Sequence, residues 1–133
     1  MKSQLENILL IDDDMTVNFM HSFLIESETI TRSLSIAESA ELALKKVSEE
    51  RPDLILLDLN MPKTNGWEFL VQYKKLIPAP LRSRIVVLSS SANPDDKLRA
   101  ENSPDIAGLY SKPLTKEMLI EIYNDTQKFI SEE

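Results

Sequence analysis

Three short apolar runs, each closed at once by a polar side chain, most constrain how this chain can fold. The runs cover residues 8–11, 54–57 and 85–88, and the residues that close them are Asp12, Asp58 and Ser89. A continuous apolar run has no polar face, so it predicts a strand that is covered on both sides, as in a parallel sheet. Looser alternation predicts two further strands, over residues 30–37 and 106–110.

Segments with apolar residues at helical spacing follow these strands. They begin near residues 15, 40, 66, 94 and 116, and the predicted caps of the last two helices are Asn93 and Thr115. In the first helix the apolar pattern comprises Val17, Met20, Phe23 and Leu24. Five strand–helix units in strict alternation predict an α/β protein, a (βα)5 doubly wound parallel sheet with right-handed crossovers. We expect one domain over residues 1–133, with a core over about 6–130 and no output domain.

Composition narrows the classes of function. The 133 residues include 15 basic and 22 acidic side chains, for a formal net charge of −7, and no cysteine. The negative charge argues against nucleic-acid or membrane-surface binding and permits a cation site. Without cysteines, disulfides and thiolate metal sites are excluded, which suits a cytoplasmic protein. The amino terminus is too polar for a signal peptide, and no apolar run approaches the length of a membrane span.

Polar residues at the ends of the strands converge on one edge of the predicted sheet. They are Asp12, Asp13, Asp14, Asp58, Ser89 and Lys112. In an open parallel sheet, ligands bind beyond the carboxyl ends of the strands. Carboxylates that meet there without a cation raise one another's pKa values, and a hard divalent ion relieves this. The pattern therefore predicts a Mg²⁺ site, with one carboxylate as a nucleophile towards phosphorus and with Ser89 and Lys112 holding phosphoryl oxygens.

Five stretches, in order and spacing, carry a resemblance to a known family. LLIDDD, DLILLDLNMP, NGWEF, IVVLSSSA and YSKPL resemble the response-regulator receiver domain of two-component signalling, in particular the single-domain type of the chemotaxis response regulator. The resemblance covers essentially the whole chain. It implies a flavodoxin-like fold with strand order 2-1-3-4-5 and a signalling switch rather than an enzyme.

The resemblance also implies roles for individual residues. Asp58 stands at the phosphoacceptor, and Lys112 stands at the invariant lysine, before a cis peptide bond to Pro113. Asp13 would bind Mg²⁺ (or Mn²⁺) directly and Asp12 through water. Further roles fall to Asn60, whose backbone carbonyl would bind the metal, and to Ser89, which stands at the switch Ser or Thr. Asp14 is expected to serve the positive end of the first helix dipole.

One position departs from the family pattern. Three residues before the lysine the family has Tyr or Phe, and this chain has Leu109. Its tyrosine, Tyr110, is one place later and should point to the opposite face of the strand. The family's coupling of Ser89 to an aromatic side chain is therefore not carried over.

The resemblance also implies the kinds of protein with which this chain interacts. The resemblance implies a histidine kinase or histidine phosphotransfer protein as donor of the phosphoryl group, and a downstream protein at the face of the fourth helix, fifth strand and fifth helix.

Two alternative functions stay open. One alternative is a degenerate receiver that binds without phosphorylation. Another is an aspartyl-phosphate phosphatase-like enzyme with a D-x-D motif, which Asn60 disfavours because an amide cannot act as the general acid. His21 is expected to be a surface or packing residue. Packing roles are also expected for Met20, Met61, Phe23, Phe69 and Trp67.

Overall fold

Five parallel strands form one sheet in the computed structural model, which describes residues 3–61, 65–89 and 94–131. The strands are β1 (Leu5–Ile11), β2 (Thr31–Ala37), β3 (Leu54–Asp58), β4 (Arg84–Ser89) and β5 (Gly108–Ser111). Their order across the sheet is β2-β1-β3-β4-β5. This confirms the predicted fold, although β1 begins three residues earlier than its apolar run.

Helices connect successive strands and cover both faces of the sheet. They are α1 (Met15–Ser27), α2 (Ala40–Glu50), α3 (Gly66–Leu76), α4 (Pro94–Glu101) and α5 (Lys116–Ser131). A 3-10 turn at Ala79–Leu81 was not predicted. Among the described residues, no helix is both long enough and apolar enough to cross a membrane. The predicted cap Thr115 is confirmed, because its side chain accepts a hydrogen bond from the Met118 N–H, whereas Asn93 lies outside the described residues. Asp14, which was expected to serve the helix dipole, also caps α1 by accepting from the Thr16 N–H.

Alternate residues of the central strands pack into two different core layers. Leu9 and Ile11 of β1 lie in the layer under α2 and α3, which also contains Phe69. Ile8 and Leu10 lie in the layer under α1 and α5. The central strands β1, β3 and β4 are therefore covered on both faces, which is why their sequences show continuous apolar runs instead of alternating ones.

Helix α1 does not bury the face that its apolar pattern predicted. Met20 is exposed, and Phe23 is 71% exposed. The buried residues are Asn18, His21 and Ile25. Apolar side chains occur around much of this helix, so their spacing does not select one inner face. The packing prediction was wrong for Phe23, and His21 belongs to the interior.

Candidate functional site

Three carboxylates meet at the carboxyl edge of the sheet. Asp12 and Asp13 follow β1, and Asp58 is the last residue of the adjacent strand β3. One carboxylate oxygen from each lies within 4.8 Å of the others. Asp12 and Asp58 are only 5% and 4% exposed, whereas Asp13 is exposed. The predicted convergence is therefore present, with two carboxylates inside and one at the mouth.

Lys112 reaches both buried carboxylates. Its Nζ lies 2.5 Å from Asp12 Oδ2 and 3.2 Å from Asp58 Oδ1. Its backbone N–H donates to the carbonyl of Ser89 at 2.9 Å, which joins the ends of β4 and β5 beside the site. The peptide bond between Lys112 and Pro113 is cis, as predicted. The structure thus brings together a lysine and an aspartate that are 100 residues apart in the chain.

Burial and charge act in opposite directions on the groups of this site. Burial is the largest cause that raises the pKa of Asp58, and the charge of Asp12 adds to it, while a hydrogen bond from Asn60 N–H and the ammonium of Lys112 oppose it. The predicted mutual repulsion is present, since the charge of Asp12 raises the pKa of Asp58, but desolvation is the larger cause. For Lys112, burial lowers the pKa, but contacts with Asp12 and Asp58 outweigh burial and raise it. The ammonium is therefore charged at neutral pH.

Two predicted site residues are placed beside Asp58 by neighbouring backbone. The N–H of Asn60 donates to Asp58 Oδ1 at 3.1 Å. Ser89 is buried at the carboxyl end of β4, the strand next to β3. Both residues lie at the carboxyl edge of the sheet, as predicted. The metal role of the Asn60 carbonyl and the phosphoryl role of Ser89 stay predictions.

The donor set fits a hard divalent cation. Three carboxylates and one ammonium leave two negative charges without compensation, and oxygen donors are those that Mg²⁺ prefers. Asp12, Asp13 and Asp58 would hold the ion, with the carbonyl of Asn60 as the further predicted ligand. Since Asp13 is exposed, the site stays open to water and to a phosphoryl group.

Leu109 and Tyr110 pack on opposite faces of the sheet, as predicted. Leu109 contacts the core layer under α2 and α3, and Tyr110 contacts the layer under α1 and α5. Burial is the largest cause that raises the pKa of Tyr110, and the nearby carboxylate of Glu121 adds to it. An aromatic ring at position 110 therefore does not replace the one that the family has at position 109.

Sequence reasoning missed three residues near the site. Asn18 Nδ2 donates to the carbonyl of Asp12 at 2.8 Å, and His21 Nε2 accepts from Leu114 N–H at 3.1 Å. A Cβ on Gly66 would lie 2.9 Å from the Asp58 carbonyl oxygen, so the start of α3 packs directly on the segment after β3. The only available signal for the first two was their polarity and their spacing of three in a helix that follows the acidic run.

The sheet order and the polar edge define the flavodoxin-like class of doubly wound proteins, with the site beyond the carboxyl ends of the strands. Within that class, the model of the response regulator receiver domain matches residues 8–124. The chain belongs to this family of two-component signalling domains.

Individual relatives agree with the family. A two-component response regulator from Cytophaga hutchinsonii has 33% sequence identity and a TM-score of 0.85, with 95% of this chain and 99% of that chain covered. Response regulator Rcp1 of Synechocystis sp. is 34% identical over 96 residues, which are 67% of this chain and 65% of that protein. A protein-glutamate methylesterase/protein-glutamine glutaminase 1 of Syntrophus aciditrophicus is 36% identical over 74 residues, or 56% of this chain. The match spans about a fifth of that protein's length.

Proposed function

We propose that this protein is a phosphorylation-dependent switch that accepts a phosphoryl group on Asp58 in the presence of Mg²⁺ or Mn²⁺. The observation that carries the proposal is the contact of one largely buried ammonium, that of Lys112, with the two buried carboxylates of Asp12 and Asp58. Isolated surface lysines and acidic turns do not form such a group. The donor would be a histidine kinase or a histidine phosphotransfer protein.

The transfer forms one bond and breaks one. A carboxylate oxygen of Asp58 attacks phosphorus in line, the bond between phosphorus and the donor imidazole nitrogen breaks, and the electron pair returns to that nitrogen. Asn60 N–H and Lys112 Nζ both contact Oδ1, which leaves Oδ2 of Asp58 for the attack. Lys112 and the hydroxyl of Ser89 would hold the phosphoryl oxygens. A bound divalent ion would offset the charge on those oxygens.

A row of exposed apolar side chains beside the site supports a protein donor. Met15, Phe19 and Phe23 follow one another every fourth residue along α1, and each is at least 71% exposed. Residues at this spacing share one face of a helix. The row begins directly after Asp14, so a helix of the donor that packs on it would bring its histidine to the acidic edge.

The output would be a protein contact at the face formed by α4, β5 and α5. Between α3 and α4, Trp67 Nε1 donates to Asp96 of α4 at 3.1 Å, and the Arg99 guanidinium stacks 4.3 Å from the centre of the Trp67 ring. These contacts tie α4 to α3, which begins beside the site. Exposed Leu98 on α4 supplies an apolar contact for a partner. We propose neither nucleic acid nor membrane as partner, and we place the protein in the cytoplasm with its donor.

The chain would perform this function as one receiver domain over residues 1–133, with its core over about 6–130. A second candidate is a degenerate receiver that binds its partner without phosphorylation. Leu109 favours it, because the aromatic side chain that the family uses to report phosphorylation is absent there. The phosphatase-like enzyme has no such support, because Asn60 stands at its general acid.

Phosphorylation by a small donor separates these candidates. Incubation with acetyl phosphate and Mg²⁺ should add one phosphate to the intact mass, and chelation of the metal should prevent it. Asp58→Asn should stay unlabelled, while Asp14→Asn, which changes the neighbouring cap, should be labelled like the wild type. Labelling of Asp58→Asn at the wild-type rate would disprove the assignment. A wild-type protein that takes no phosphate would favour the binding module.

A further inference from the structure

The inner face of α1 carries two buried polar side chains, and each holds backbone next to the candidate site. Asn18 Nδ2 donates to the Asp12 carbonyl at 2.8 Å, and His21 Nε2 accepts from Leu114 N–H at 3.1 Å. Because these residues are three apart, they lie on one face of the helix. The Nζ of Lys112, two residues before Leu114, contacts the side chain of Asp12. The contacts therefore form a closed loop that runs from Asp12 to Asn18, along α1 to His21, across to Leu114 and back through Lys112 to Asp12.

We propose that His21 is a positioning residue that fixes the Lys112 ammonium against Asp58 during phosphoryl transfer. The proposal rests on the proposed function. Lys112 lies in the short link between β5 and α5, which is held on both sides. The backbone N–H of Lys112 donates to the carbonyl of Ser89, and two residues further along the chain the N–H of Leu114 donates to His21 Nε2. Without the second contact, the backbone on the carboxyl side of Lys112 would lose this anchor, and the direction of the side chain would rest on the Ser89 bond and on the contacts of the ammonium itself.

The protonation state of His21 suits this role. Burial lowers the pKa of His21, the positive charge of Lys112 lowers it further, and the charge of Asp12 opposes both. The imidazole is therefore neutral at pH 7, and its Nε2 lone pair is available to accept. The side chain is only 3% exposed, so water does not replace this acceptor for the Leu114 amide.

Three variants isolate the acceptor from the bulk of the ring. His21→Leu retains an apolar volume but has no acceptor, whereas His21→Gln places an amide oxygen near the position of Nε2. Ser22→Ala is the matched control on the same helix, since the buried Ser22 Oγ has no hydrogen-bond partner among the described residues. Circular dichroism at low temperature verifies that each variant is folded. If His21→Leu does not fold, His21→Asn replaces it, because its shorter side chain withdraws the acceptor.

The rate of phosphorylation by acetyl phosphate at saturating Mg²⁺ is then followed by intact mass. We expect the maximal rate constant of His21→Leu to fall by about 10- to 100-fold, the loss typical of a misplaced catalytic group. The Mg²⁺ concentration for half-maximal rate should stay within about twofold, because His21 contacts no proposed ligand side chain. His21→Gln should recover most of the rate, and Ser22→Ala should match the wild type. Equal losses in the Gln and Leu variants would overturn the proposal.

A double-mutant comparison tests whether His21 acts through the lysine. In a Lys112→Ala background, His21→Leu should lower the remaining rate by less than about twofold. Losses that multiply would show that His21 acts by another route, which also overturns the proposal. Failure of the proposed function looks different, since the wild type would then take no phosphate, or Asp58→Asn would take it equally. Either of those results would overturn both.

Discussion

Replacing Lys112 with alanine tests the electrostatic core of the site. The lysine side chain is 11% exposed and compensates two buried carboxylates, those of Asp12 and Asp58. In the absence of metal, the variant leaves both carboxylates without their cation. Deleting one partner of a buried ion pair costs about 3–5 kcal/mol. We expect about 3 kcal/mol, the lower end, because the exposed Asp13 side of the site admits solvent.

The expected loss converts to a shift in melting temperature. An unfolding entropy of about 2.1 cal/mol/K per residue gives about 0.28 kcal/mol/K for a chain of this length. The melting temperature of Lys112→Ala should therefore fall by about 11 °C at pH 7.5 in the presence of a chelator. Differential scanning calorimetry measures this shift. Lys116→Ala is the control, because Lys116 is exposed and lies 4.0 Å from Glu28, and it should shift the melting temperature by less than about 2 °C.

The loss should depend on pH in one direction. Without the ammonium, the pKa of Asp58 in the folded state rises further above its unfolded value, so the folded variant binds more protons than the unfolded chain. Its stability then falls as pH rises through that raised pKa, and the deficit relative to the wild type should be larger at pH 8 than at pH 5. The wild-type lysine stays charged throughout this range because its pKa is raised. A Lys112→Ala protein that melts within about 2 °C of the wild type at both pH values would refute the reasoning.

Three further predictions address the metal, the acceptor and the packing beside it. At ten times its dissociation constant, Mg²⁺ should stabilise the wild type by about 1.4 kcal/mol, which calorimetry would record as a rise of about 5 °C in melting temperature. Asp13→Asn should lose most of this increment. If Asp14→Asn loses it instead, the assignment of Asp13 as a metal ligand is wrong. Asp58→Asn should be more stable than the wild type at neutral pH, as measured by chemical denaturation. The difference in free energy of unfolding should grow as pH rises from the unfolded pKa of about 3.9 through the raised pKa of Asp58 in the folded state. A difference that shrinks over this pH window would contradict the effect of burial. Gly66→Ala should lower the free energy of unfolding by about 1–3 kcal/mol and slow phosphorylation, because the added Cβ would lie 2.9 Å from backbone atoms of Asp58 and Leu59. If the alanine variant is as stable as the wild type, this steric clash does not exist.

The fold and the set of residues at the polar edge follow from the order of the amino acids. Apolar runs without alternation require cover on both faces, and strict alternation with helices requires crossovers, so the parallel sheet followed. The carboxyl ends of parallel strands share one edge, so the sequence is sufficient to predict that Asp12, Asp58 and Ser89 lie together. The resemblance added the strand order and the cis bond before Pro113, and both are present.

The side of α1 that faces inward is set by tertiary contacts. Apolar residues lie on several sides of this helix, so hydrophobic spacing favoured Met20 and Phe23, which are exposed. The inner side instead carries Asn18 and His21, because backbone groups of the site are buried there and need partners. A donor and an acceptor that are 93 residues apart leave no periodic signal in the chain. Only the assembled fold brings the Leu114 amide to His21, and only there can a buried histidine have the role that we propose.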